Sequence, residues 1–442
     1  MEKSVHYPRR AASIVLPTLL FAVAACGDDD PIASGPTDDI TQIVAGTADV
    51  STLGAALSAA GLTTSLQADG PFTVFAPSNA AFDALGADVV AALLEPDNLE
   101  LLRSVLTFHV VPGVGAFSGD LMDGQKVGTL NGDELTLGVS GSGVTVNGAR
   151  VTTADIEASN GVIHLIDAVL LPEVDLVDKA ILTEATQTLA AAVAAGGLVS
   201  TLKGAGPFTV FAPTNTAFEA LGADKLGVLL DPANQALLQK ILTYHVIAGE
   251  VREADLTDGA AVATVEGSTV KIDLSGPVPM VNGAGIIATD IAAKNGVVHL
   301  IDGLLAENLD IMDAAQLNGL STLVDLVRTA GLENTLRDDN GGNGFTVFAP
   351  TNEALAALSS VPSGQALVDV LTYHVVSGTV GSGDLYDGQV VTTVQGAKFT
   401  VGIDGSSVTL TDAAGNVLTV VLADIPAANG VVHVIDGVLL PG

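Results

Sequence analysis

The chain has 442 residues, room for two to four domains of ordinary size, and 48% of them are hydrophobic, so each domain can bury a core. With 16 Lys+Arg against 50 Asp+Glu the formal charge is −34. A surface this acidic repels phosphate backbones and anionic headgroups, which argues against nucleic-acid binding, and the single cysteine, Cys26, rules out an intrachain disulfide and an all-cysteine metal site.

The chain opens with Lys3, Arg9 and Arg10, followed by a mostly apolar run over 11–25. That run is shorter than the roughly 20 residues a membrane span needs, and it has the layout of a secretory signal peptide. It ends Val23-Ala24-Ala25-Cys26, which resembles the lipoprotein signal of bacteria. The resemblance implies cleavage after residue 25 and lipidation of Cys26, with several acyl chains at about 0.8 kcal/mol per buried CH₂ giving stable membrane attachment. Residues 26–37, rich in Gly, Asp, Pro and Ser, read as a flexible tether with little to bury.

Beyond the tether the sequence repeats. Thr73-Val74-Phe75-Ala76-Pro77-Ser78-Asn79 recurs 136 residues later at Thr209–Asn215 and 137 residues after that at Thr346–Asn352. A second block is Phe108-His109-Val110-Val111, then Tyr244-His245-Val246-Ile247, then Tyr373-His374-Val375-Val376. A third closes each unit: Asn160 to Asp167, Asn295 to Asp302, Asn429 to Asp436. The period is too long for a solenoid repeat and long enough for a domain with its own core. With aromatics at 4% and no Trp, Ala, Val and Leu must fill those cores around an occasional Phe. The expected domains are 38–172, 173–306 and 307–442, joined by short linkers near Pro172–Val174 and Ala306–Asn308 and stacked as a stiff row.

Each unit reads as helix first, as in the Ala- and Leu-rich 189–202, then a Gly-rich turn and a Phe-Thr-Val-Phe strand. Pro77 ends that strand, and Ser78, Thr214 or Thr351 is placed to cap the next helix. A further helix carries Leu99, Leu102, Val105 and His109 at helical spacing. Short strands with Asn-Gly turns follow, and an apolar core strand over 162–171 closes the unit. From Thr to His the first two copies span 36 residues and the third 28, so in the third one helix is shortened or replaced by a loop around 359–364; Phe82 and Phe218 also become Leu355 there.

The three blocks in fixed order resemble the fasciclin domain, three times over, across nearly all of 38–442. The resemblance implies an α+β fold, a β-sandwich wedge flanked by helices. It implies an extracellular or surface-attached protein that mediates adhesion to matrix, polysaccharide or surface protein, without enzymatic activity or cofactor. It carries over, as adhesion contacts, Tyr244-His245 and Tyr373-His374 and the pairs Asp155-Ile156, Asp290-Ile291 and Asp424-Ile425.

The residues themselves favour a plainer account of most of these. His109, His245 and His374 fall at a helix end, where a donor satisfies terminal carbonyls. His164, His299 and His433 alternate with Val and Ile on a strand, as hydrogen-bonded core histidines do; Tyr and Ile pack inward and Asp caps a turn. No metalloprotease, phosphate-loop or nucleophile-elbow motif is present. Neither Asp28–Asp30 nor the Gly-rich 338–343 has the ligand order of a calcium loop. A calcium-dependent module and a structural envelope protein without a specific ligand are the alternatives to a tethered adhesin.

Overall fold

The structure, a computed structural model, describes residues 36–442; the leader, Cys26 and all but the end of the tether lie outside the described residues. One element order is built three times. In the first unit Asp39 caps α1 (Ile40–Gly46): its carboxylate accepts the Gln42 N–H at 2.9 Å, and the Gln42 side chain accepts the Asp39 N–H at 2.8 Å, so two orphan donors are satisfied reciprocally. Asp175 and Asp310 cap the equivalent helices. α2 (Ser51–Ala59) and α3 (Thr63–Leu66) follow. In the second unit the expected single helix over 189–202 is two, Gln187–Ala195 and Val199–Leu202, separated where Gly197 takes φ +67, a conformation that costs glycine nothing.

β1 (Phe72–Pro77) ends at its proline, and Ser78 caps α4 (Asn79–Leu85) by accepting the Ala81 N–H. α5 (Ala87–Leu94) and α6 (Leu99–Phe108) precede β2 (Val110–Pro112). β3 (Lys126–Gly128), β4 (Glu134–Ser140), β5 (Gly143–Val146), β6 (Ala149–Ala158) and β7 (Gly161–Ile166) complete a seven-stranded sheet of order β2-β1-β7-β6-β5-β4-β3. Only the β1–β7 pair is parallel. β6 is irregular between Val151 and Ile156, and such bulges bend and twist a strand. The sheet therefore folds over itself and makes two cores. Val74, Ala76, Ile163 and Leu165 face the helices. Phe75 and Ile166, on alternate positions, meet Leu135, Leu137 and Val146 inside the fold of the sheet. On α6, Leu101, Leu102, Val105 and Leu106 are buried, at about 1.5–3 kcal/mol each.

The third unit lacks a helix where expected: Asn352–Ala356 is followed by a loop to the helix Gln365–Tyr373. The missing element is the one that touches the next unit in the other two. α5 packs on α7 (Leu176–Ile181), and helix Ala223–Leu230 packs on Ile311–Leu317. Apolar contact is continuous from the first unit into the second and reaches Leu309 and Leu317. The junction of the second and third units adds an ion pair, Lys240 Nζ to Asp313 Oδ2 at 2.6 Å.

Candidate functional site

The Tyr-His blocks are interior. His109, His245 and His374 are fully buried at the C-terminal caps of their helices. In each, Nδ1 donates to the carbonyl four residues back (Val105, Ile241, Val370) at 2.8 Å. Nε2 accepts a backbone N–H from the last strand's exit (Leu170, Leu305, Leu439) at 2.9 Å. Both ring nitrogens are used, the neutral Nδ1–H tautomer is fixed, and burial pushes the pKa down to about 4. Tyr244 and Tyr373 are buried too; their hydroxyls donate to the carbonyls of Thr269 and Lys398 at 3.0 and 2.7 Å, and burial raises both phenol pKa values. These four residues were carried over as adhesion contacts, and their burial takes them out of reach of a partner.

The Asp-Ile pairs sit at the irregular part of the long strand. Asp155, Asp290 and Asp424 have φ of 63, 58 and 59, the left-handed region that Asp tolerates better than most residues. Asp155 accepts the Ser118 N–H at 2.6 Å and the Ser118 hydroxyl at 2.5 Å, and the hydroxyl bond holds its carboxyl below the usual range. Asp424 binds Ser382 in the same way, with the same effect, and Asp290 accepts the Glu253 N–H. The backbone N–H of each Asp in turn donates to Nδ1 of His164, His299 or His433, whose Nε2 donates to the carbonyl of Ala116, Val251 or Val380. Ile156, Ile291 and Ile425 are half-buried against the helix-side cores. The pairs thus lock a loop onto the sheet. Among the described residues no group of three or more His, Cys, Asp or Glu is placed to hold a metal ion, and no helix is long and apolar enough to cross a membrane.

The model of the family described as "Fasciclin domain" matches residues 48–172, 184–307 and 318–441. The chain belongs to the fasciclin domain family. Among its relatives is the transforming growth factor-beta-induced protein ig-h3 of Sus scrofa, 35% identical over 76% of this chain and 49% of that protein. Periostin of Homo sapiens is 32% identical over 76% and 40%, and protein sll1483 of Synechocystis sp. is 44% identical over 36% and 88%. The chain spans about half the length of the first of these. A fasciclin domain pair from the insect cell adhesion molecule fasciclin I aligns at 19% identity and TM-score 0.27, over 57% of this chain and 96% of that one.

What the three fasciclin domains share at the surface is a turn. Leu130, Val265 and Val394 are 42%, 43% and 46% exposed. Each is held by its own N–H, which donates to the carbonyl of the residue after the block's histidine (Val110, Val246, Val375). The preceding residue is a buried threonine, Thr129, Thr264 or Thr393, whose hydroxyl donates across the turn to the carbonyl of Asp133, Ser268 or Ala397. Gly132, Gly267 and Gly396 close the turn with φ of 96, 114 and 104, where a side chain would be strained. Sequence reasoning passed over these residues because it stopped at the blocks; the signal was Thr-apolar-x-Gly, its Thr 19 or 20 residues after each histidine.

Proposed function

We propose that the protein is a secreted adhesion or binding module, not an enzyme, lipid-anchored through Cys26 at a bacterial cell envelope, whose partner is polysaccharide, matrix or surface protein. One observation carries the reading: a threonine-braced turn presents an apolar side chain to solvent at the same place in all three domains. A lone exposed Leu or Val needs no explanation. The same exposed position rebuilt three times on separate domains is what multivalent contact requires, since linked weak sites act at high effective concentration.

The test is adhesion of beads coated with the full chain to polysaccharide and protein matrices. Leu130→Asp, Val265→Asp and Val394→Asp are introduced singly and together. Each single change weakens attachment and the triple change abolishes it; a triple variant that attaches like the parent sinks the reading. For the anchor, Cys26→Ser removes acyl labelling and releases the protein or leaves it as an uncleaved precursor.

A further inference from the structure

The first fasciclin domain carries an apolar loop that the other two lack. Its segment Pro112-Gly113-Val114-Gly115-Ala116-Phe117 has no charged side chain. Val114 and Phe117 are 43% and 39% exposed, and Met122, just past the short turn Ser118–Asp120, is 64% exposed. Hydrogen bonds fix what stands at these places elsewhere. The Val114 carbonyl accepts the Thr73 hydroxyl as the Gly249 and Gly378 carbonyls accept those of Thr209 and Thr346. Phe117 leads into its turn where Arg252 and Gly381 do. Met122 matches Thr257 and Tyr386, since the carbonyl of each accepts an N–H three residues on, from Gln125, Ala260 or Gln389. The second domain therefore puts a Glu250–Arg252 ion pair here, and the third puts two glycines.

The loop lies where the chain enters the domain. The Asp38 carbonyl accepts the Ser159 N–H at 2.8 Å, and the Ile40 N–H donates to Asn160 Oδ1 at 3.0 Å. Gly115 sits against the same hairpin: a Cβ on it would stand 3.6 Å from Val162 and 3.9 Å from Gly161. The link to the second domain leaves past Ile166, the other end of β7. Residues 26–37, between Cys26 and this entry point, reach about 40 Å at full stretch and about 20 Å on average.

We infer that this loop is a membrane-contacting face, with Val114, Phe117 and Met122 dipping into the interface of a neutral bilayer. The proposal rests on the anchor at Cys26. A bilayer held so close is present at high effective concentration. Each part-exposed side chain then needs to gain only a fraction of the about 1.5–3 kcal/mol of full burial, enough to orient the domain without binding a membrane unaided. The face suits zwitterionic headgroups, because an anionic surface would meet Asp120 and Asp123 on a chain of formal charge −34. A protein partner gripped by all three domains would need the loop in all three. The apolar version stands on the domain that bears the tether, which is where a bilayer can reach it.

The experiment uses the one thiol of the chain, Cys26. The chain from residue 26 onward is coupled through it to a maleimide lipid in phosphatidylcholine vesicles, with no need of cellular acylation. The protein has no Trp, so Phe117→Trp, Met122→Trp and Tyr386→Trp, made separately, each add a single reporter. On the vesicles, emission from Phe117→Trp and Met122→Trp shifts to the blue and is quenched by brominated phosphatidylcholine, and emission from Tyr386→Trp does neither. Val114→Asp, added to Met122→Trp, reduces the quenching. If Phe117→Trp does not fold, Met122→Trp decides alone. Emission that ignores the lipid in the folded loop reporters, the result for a loop that meets a protein instead, overturns the proposal. So does equal quenching of Tyr386→Trp, which would mean that the whole chain lies on the surface. Because coupling supplies the attachment, failure of acyl labelling at Cys26 sinks the anchor and leaves this measurement intact, whereas unquenched reporters beside normal acylation sink the contact face alone.

Discussion

Nε2 of His245 accepts the N–H of Leu305 at 2.9 Å, tying the end of the helix Gln235–Tyr244 to the segment that leaves the last strand of the domain. The imidazole can do this only while unprotonated, and burial keeps it so, with a pKa pushed down to about 4. His109 and His374 are held alike. In the unfolded chain each histidine titrates near 6.5, so as pH falls from about 6.5 towards 4 the unfolded state takes up protons that the folded state refuses. The stability is complete above that window and is lost through it, by up to about 3 kcal/mol per histidine. Denaturant midpoints at about pH 7.5 and about pH 4.5 should therefore differ clearly, the acid value being lower. Equal midpoints would contradict the neutral tautomer. Asp155 and Asp424, depressed below the usual carboxylate range by their serine partners, act only at still lower pH.

A second prediction concerns the asparagine that opens each closing block. Asn429 is 7% exposed; its Oδ1 accepts the Ile311 N–H at 2.8 Å, and its Nδ2 donates to the carbonyls of Leu336 and Asp338 at 2.7 and 2.9 Å. One side chain thus fastens the first helices of the domain to its last hairpin. Asn429→Ala removes three bonds at a buried site and should cost about 3 kcal/mol. Asn429→Asp should cost more, because a carboxylate then faces two carbonyl oxygens. Thermal unfolding of the full chain reads both, as a lowered transition for the third domain with the others in place.

The domain junction gives a third. Lys240 reaches Asp313 at 2.6 Å and Asp310 at 3.6 Å across the boundary, and Arg337 holds the same two carboxylates from within the third domain. Burial pushes the Asp313 carboxyl up, but Lys240 and Arg337 outweigh it and hold the group below the usual range. Lys240→Met keeps the aliphatic stem and deletes only the cross-domain charge. Because Arg337 still neutralises Asp313, the loss in overall stability should be about 1 kcal/mol or less. The change should show instead as faster proteolysis within 303–310 and a broader distance distribution in small-angle scattering. A scattering profile identical to the parent's would mean that apolar packing alone fixes the junction.

Much of this architecture was legible because it is written three times. The strand Phe72–Pro77, its capped helix and the core strand Gly161–Ile166 each follow from local chemistry: β-branched residues, a proline stop, a serine or threonine cap. The deletion in the third domain was legible as a shortened spacing, and the structure shows the missing helix. The break at Gly197 was harder, since Ala and Leu on both sides suit a continuous helix. Function was less legible. Tyr-His and Asp-Ile recur because the fold needs them, and repetition alone does not separate a structural residue from a contact.

The last prediction turns that ambiguity into a measurement. Tyr373 is fully buried; its hydroxyl donates to the Lys398 carbonyl at 2.7 Å and accepts the Ala413 N–H at 3.1 Å. The first domain carries Phe108 at this position and is built on the same plan. Tyr373→Phe should therefore fold, losing about 1–2 kcal/mol for the two bonds, and adhesion by the folded variant should be unchanged. Tyr373→Ala should cost about 3–5 kcal/mol through the cavity it opens and should reduce adhesion only as far as it unfolds the third domain. If Tyr373→Phe were to abolish adhesion with its melting temperature intact, the hydroxyl would have to reach a partner, and the buried placement of the Tyr-His block would be wrong.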